Sequence, residues 1–232
     1  MRRLILAVMV LASLTGCKKQ HPVSVYVDPK FTEAQTDGPG VKIAVTQFAS
    51  SLNPTDDPDQ EAPRMMERFL DPALQARRDY KFIAPNTVQY AIDQNQWGDE
   101  YKKFLRSYAL SDKPDLAFLG KLSAALQCDA FLIPVVDLWQ KDEVDMQENS
   151  SAATYVGATL TIVDAKSGAM LFRATDEDYI EGARSETADR SLVTSSSGAV
   201  RADLGERLYK APPFEDVAAK VALALAGSLP VR

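Results

Sequence analysis

Ala130-Phe131-Leu132-Ile133-Pro134-Val135-Val136-Asp137-Leu138-Trp139, then Thr154-Tyr155-Val156-Gly157-Ala158-Thr159-Leu160-Thr161-Ile162-Val163, then Ala169 to Tyr179, are the stretches on which the fold turns. Each is rich in β-branched and aromatic residues and has the length of a strand. Asp164-Ala165-Lys166-Ser167-Gly168 joins the second to the third as a hairpin turn, with Gly168 free to take a positive φ. Together they predict an antiparallel three-stranded meander. Pro134 has no N–H to give to a ladder, so it predicts that the first strand is at a sheet edge, or bulged, at that point. An edge there is a candidate docking surface.

Upstream, Val41 to Phe48 alternates and is β-branched, and reads as the first strand. Pro63 opens a helix with Met65, Met66, Phe69 and Leu70 on one face. Asp71-Pro72 predicts a kink there, or a restart capped by Asp71. Tyr80 to Ala84 is a short strand, and Asn86-Thr87-Val88-Gln89 resembles a capping box. Trp97, Tyr101, Phe104, Leu105 and Tyr108 then fall on one helical stripe. The stripe reads as core. Its functional alternative is an apolar ligand site lined by Trp97, Tyr101, Tyr108 and Trp139. Pro114 opens another helix, and Pro212-Pro213 opens a last one through Leu225. The order is strand, helix, strand, several helices, meander, helix. It predicts an α/β (α+β) class, a single mixed β-sheet with helices packed on it.

The chain begins differently. Arg2 and Arg3 precede a short apolar run, Leu4 to Ala12, far below the ~20 residues that span a bilayer. Residues 1–16 therefore read as a signal peptide. Leu14-Thr15-Gly16-Cys17 resembles the lipobox of bacterial lipoproteins. That resemblance implies recognition of Leu14, Thr15 and Gly16 by the signal peptidase, cleavage before Cys17, and acylation (palmitate or similar chains) of its sulfur and new amine. Lys18, in place of an aspartate, implies sorting to the outer membrane, facing the periplasm. Residues 17–40 carry Pro22, Pro29, Gly38, Pro39 and Gly40 and read as a flexible tether, leaving 41–232 as one domain. Within it, 182–210 reads as a polar excursion.

Cleavage removes Arg2 and Arg3 and no acidic residue. The 26 basic residues become 24 against 32 acidic, a net charge of −8 that disfavours nucleic acid. Acidic runs at 56–61, 142–145 and 176–178 read as solvated loops and strand ends. Calcium is the sharper alternative, but none matches a spaced calcium loop, and no metal is expected. With Cys17 acylated, Cys128 has no cysteine left to pair with, and it reads as a small buried hydrophobe. His21, the single histidine, lies beside Pro22 in the tether, which removes histidine-based triads and zinc hydrolysis. No nucleophile elbow or phosphate-binding glycine loop is present. The expectation is no enzyme and no cofactor beyond the covalent lipid; a carboxylate pair across a cleft would be the exception.

Three places resemble one family. They are Val41 to Val45 after a lipoprotein leader, Leu119 to Val136 with Asp129 between a helix and a strand, and Ala158 to Leu171 with its Val-Asp-x-x-Ser-Gly hairpin. The likeness is to the periplasmic domain shared by the curli-secretion lipoproteins, the penicillin-binding-protein activator lipoproteins and the amino-terminal domain of the Tol translocation protein. It implies a non-enzymatic cell-envelope lipoprotein that docks protein partners, and it admits homo-oligomers. The alternative is a transport auxiliary binding a small apolar ligand or lipid. The long amphipathic inserts of pore-forming members have no counterpart in 182–210.

Overall fold

The structure, a computed structural model, describes residues 22–37, 41–143, 152–181 and 211–231. Leu14 to Lys18 and the excursion 182–210 lie outside the described residues. In chain order the elements are β1 (Ser24–Val27), α1 (Pro29–Asp37), β2 (Lys42–Val45), β3 (Ala49–Ser50), α2 (Glu61–Gln75), β4 (Lys81–Ile83), α3 (Pro85–Gln94), α4 (Gly98–Ser111), α5 (Leu116–Leu126), β5 (Ala130–Asp142), β6 (Ala153–Asp164), β7 (Met170–Glu181) and α6 (Phe214–Ser228). The strands form a single mixed sheet in the order β1-β7-β6-β5-β2-β4, with β3 also on β5. The meander β5-β6-β7 is antiparallel, whereas β2 lies parallel to both β4 and β5.

Strand alternation sends side chains to two cores, one on each face of the sheet. On one face α2 and α6 bury Met66, Leu70, Val217, Val221 and Leu225 against Ile43, Leu132, Val136, Val156, Leu160 and Phe172. On the other, α3, α4 and α5 bury Ile92, Tyr101, Phe104, Tyr108 and Leu122 against Ala44, Phe131, Ile133 and Val163. The hairpin after β6 forms as expected. Asp164 Oδ1 accepts from the amide N–H groups of Lys166 and Ser167, at 3.1 and 2.7 Å, and Gly168 takes φ +68°. A Cβ on Gly168 would clash with Leu116 Cδ2.

Four expectations need correction. Much of the tether is folded: β1 pairs antiparallel with β7, Ser24 opposite Thr175, and Phe31 of α1 is 1% exposed in the core. Pro22 and Pro29 read as linker punctuation, yet Pro29 is the first residue of a helix, where a missing N–H costs nothing. Pro134 is not at an edge. It is buried in the middle of β5, between β6 and the β2/β3 side. Thr46 N donates to Leu132 O and Ser51 N to Val136 O, both at 3.0 Å, so 132, 134 and 136 all turn their backbone groups to that side. Pro134 faces the gap between β2 and β3, where a donor is not needed. The bulge is at Asp137, between the pairs Val136–Ala158 and Leu138–Gly157.

The other two corrections concern helices. α2 continues through Pro72 as one helix, so Asp71 caps no restart; Pro72 and Arg68 both lie on its exposed side, where the carbonyl freed by the missing N–H can reach water. The capping box does not form, since α3 starts two residues earlier than a cap at Asn86 would place it, with Pro85 in its first turn and no side-chain cap from Ala84.

Candidate functional site

In parallel sheets ligands favour the carboxyl ends of the strands where the strand order reverses. Here that point lies between β2 and β5, because the chain leaves β2 for β4 on one side and later enters β5 on the other. The crevice is filled by the protein itself. Residues 46–48 carry the chain on into β3 alongside β5, and Tyr101 Oη accepts from Gln47 N at 2.8 Å. Burial pushes the Tyr101 phenol far above its ordinary range, so it stays protonated. Glu67 and Asp71 of α2 flank this point. Burial raises the Glu67 carboxyl, and the Asp71 charge adds to the rise; burial raises Asp71 as well. The two acids are one turn apart on the same helix, not opposed across a cleft as glycoside hydrolysis requires.

Trp97, Tyr101, Tyr108 and Trp139 do not surround one space. Trp97, Tyr101 and Tyr108 belong to the α3–α4–α5 face, where Trp97 and Tyr101 lie against Phe118. Trp139 is on the opposite face, stacked on Phe214 with ring centroids 4.1 Å apart. All four are packing residues. Cys128 is buried, and burial pushes its thiol up to about 11, against a lowering by Ser123. That is an inert cysteine.

Two acidic residues act as backbone caps. Asp57 accepts from Glu61 N at 2.7 Å and Ala62 N at 3.0 Å, closing the start of α2. Asp129 Oδ2 accepts from Lys42 N at 3.0 Å and fixes the start of β2 beside β5. Among the described residues no three histidine, cysteine or acidic side chains come together as metal ligands. The run 142–145 lies partly outside the described residues.

One surface was not singled out from the sequence. The helices α3, α4 and α5 cover only the β2–β5 half of their face. Beyond Arg173, which pairs with Asp112 at the end of α4, no described helix packs over β6 and β7 on this side. The sheet there carries Tyr155 stacked on the exposed Tyr179 at 5.5 Å, and a hydrogen-bonded row from Asp137 to the buried Thr159 at 3.0 Å and on to Thr175 at 3.1 Å. Gly157 makes room for the row: a Cβ would lie 2.8 Å from Asp137 Oδ1 and 3.0 Å from Glu177 Cγ. Burial raises the Asp137 carboxyl, opposed by Thr159 and reinforced by Glu177. The signal was present in the alternation, since Thr159, Thr161 and Thr175 put hydroxyls on a single face of adjacent strands.

No family model matches the chain, and no curated protein does. Solved structures similar to it include the PelC dodecamer from Paraburkholderia phytofirmans, at 15% identity over 88% of this chain and 96% of that one, TM-score 0.42. Others are the lipoprotein GNA1162 from Neisseria meningitidis, at 16% identity over 72% and 96%, TM-score 0.43, and protein XCC0632 from Xanthomonas campestris, at 12% over 88% and 89%, TM-score 0.41. These are loose likenesses and carry neither activity nor partner across. No helix among the described residues is long and apolar enough to cross a membrane.

Proposed function

We propose that this chain is a non-enzymatic lipoprotein of the bacterial cell envelope, held to the periplasmic face of the outer membrane by acyl chains on Cys17. Its α/β domain, of the kind found in the curli-secretion and activator lipoproteins, docks other proteins of an outer-membrane or periplasmic assembly. The anchor rests on Leu14-Thr15-Gly16-Cys17 after a short apolar run. Each buried CH₂ of an acyl chain contributes ~0.8 kcal/mol, so more than one chain makes release very slow.

The observation that carries the docking role is the half of this sheet face that no described helix covers. Helix-flanked sheets bury both faces against other layers. The β6–β7 half offers the Tyr155 and Tyr179 rings to a further body instead, while Thr159 and Thr161 are buried. A carrier role would need the four aromatics around one cavity, and they stand on opposite faces of the sheet.

The test uses the lipidated chain in its own envelope, with a photo-crosslinking residue at Tyr155 on the uncovered face or at Tyr90 on the exposed side of α3. Protein adducts, to another envelope protein or to a second copy, are expected from position 155. Adducts from position 90 alone, or a mature protein that still starts at Met1 without acyl chains, would overturn the reading.

A further inference from the structure

Only four residues separate Cys17 from Pro22, the first described residue. Fully extended, the path from Cys17 to Pro22 spans at most ~18 Å. Pro22 leads directly into β1, an edge strand whose sheet partner is β7. The opposite edge, β4, lies five strand spacings away, ~24 Å at about 4.8 Å each. Exposed tyrosines also stand along this edge. Tyr26 on β1 is 47% exposed opposite Arg173, and Tyr179 on β7 is 41% exposed beyond the Pro22 end, six residues along from Arg173 on the same face. A shallow hollow of about 290 Å³ lies here, lined by Pro22, Ser24 and the stretch 175–179. Tyrosine suits the headgroup layer, since its ring is apolar and its tip is wet. Glu177 and Asp178 line the same hollow, which favours zwitterionic over anionic headgroups.

Resting on the lipoprotein reading, we propose that this β1 corner lies against the headgroup surface of the bilayer that holds the acyl chains. The sheet then stands on its β1 edge, with β4 and α3 pointing away from the membrane. The uncovered face over β6 and β7 looks sideways along the membrane plane, toward neighbours anchored in the same leaflet.

The lipidated full chain is placed in phosphatidylcholine–phosphatidylethanolamine vesicles that contain a headgroup-nitroxide lipid. Ser24→Cys, Tyr26→Cys and Tyr90→Cys are each coupled to a thiol-reactive fluorophore. Acylation occupies the Cys17 sulfur, and Cys128 is buried, so labelling is confined to the new thiol. In protein that floats with the vesicles, quenching at positions 24 and 26 is expected to be at least threefold stronger than at 90. Equal quenching, or stronger quenching at 90, would overturn the orientation while leaving the anchor intact. Protein that does not float, with an unmodified Cys17 by mass spectrometry, would remove the anchor and the orientation with it. Two near positions keep the test decisive if one label disturbs β1.

Discussion

Phe31→Ala should destabilise the domain as a core substitution does, although its segment has the composition of a linker. The ring is 1% exposed and lies over Tyr80, centroid to centroid 6.4 Å. Truncating a buried phenylalanine costs ~3–5 kcal/mol. For a domain of this size each kcal/mol lowers Tm by roughly 2–4 °C, so a fall of about 10 °C is expected. The loss is bounded by how firmly β1 and α1 are docked: if they detach as a unit, its ceiling is the free energy of that local opening. The assay is urea and thermal denaturation of a soluble form with Cys17 replaced, beside Val25→Ala as control. Val25 is largely exposed and should stay within ~0.5 kcal/mol of the parent. If Phe31→Ala melted and unfolded like Val25→Ala, residues 22–37 would be a tether after all, and the short reach assigned to the anchor would be wrong.

Arg77 donates to the carbonyls of Ala226, Leu229 and Pro230 at 2.8–3.1 Å and pairs with Asp79, so it closes the end of α6. Arg77→Met should cost about 2 kcal/mol, three hydrogen bonds at about 1 kcal/mol each reduced for partial exposure. Arg77→Lys should recover only part of this, because an ammonium cannot fork; urea midpoints equal to the parent would contradict the capping role. Glu67 has its folded pKa raised above the ordinary 4.5, first by burial and then by Asp71. The native state therefore favours its protonated form, and its contribution is present below pH 4.5 and lost as pH rises through the raised value. Glu67→Gln should stabilise the domain at pH 7.5 and flatten the fall of stability above pH 4.5, and an unchanged slope would count against it. Cys128 should react with a thiol reagent at pH 7.5 at least ~100-fold more slowly in the native protein than in urea, and comparable rates would mean the thiol is accessible.

The meander, its hairpin and the four helices from α3 to α6 were legible because their periodicities are long and their punctuation is local. Asp164 and Gly168 close the hairpin through contacts within five residues of each other, which pattern alone can reveal. What escaped the sequence depends on neighbours remote in the chain. β1 reads as linker because Pro22 and Pro29 frame it, and its partner on β7 is some 150 residues away. Pro134 reads as an edge or a bulge because nothing local shows that the strand beside it is interrupted between β2 and β3. The aromatic stripe reads as a helix face, but strand parity, not helix periodicity, decides that Trp139 belongs to the other core. The half of the sheet that no described helix covers is invisible until helix placement is known, although Thr159, Thr161 and Thr175 break the apolar rhythm of β6 and β7.

Val136 and Trp139 point into the same core although an odd number of steps separates them, because Asp137 is looped out of the ladder. In a chain lacking that extra residue the phase of β5 would reverse from there on. Leu138 would turn under α6 and the Trp139 indole would swing out among the tyrosines of the opposite side. Phe214, now stacked on that indole, is the first residue of α6. A single aspartate, inserted at the right place, thus sets where a helix far downstream comes to rest.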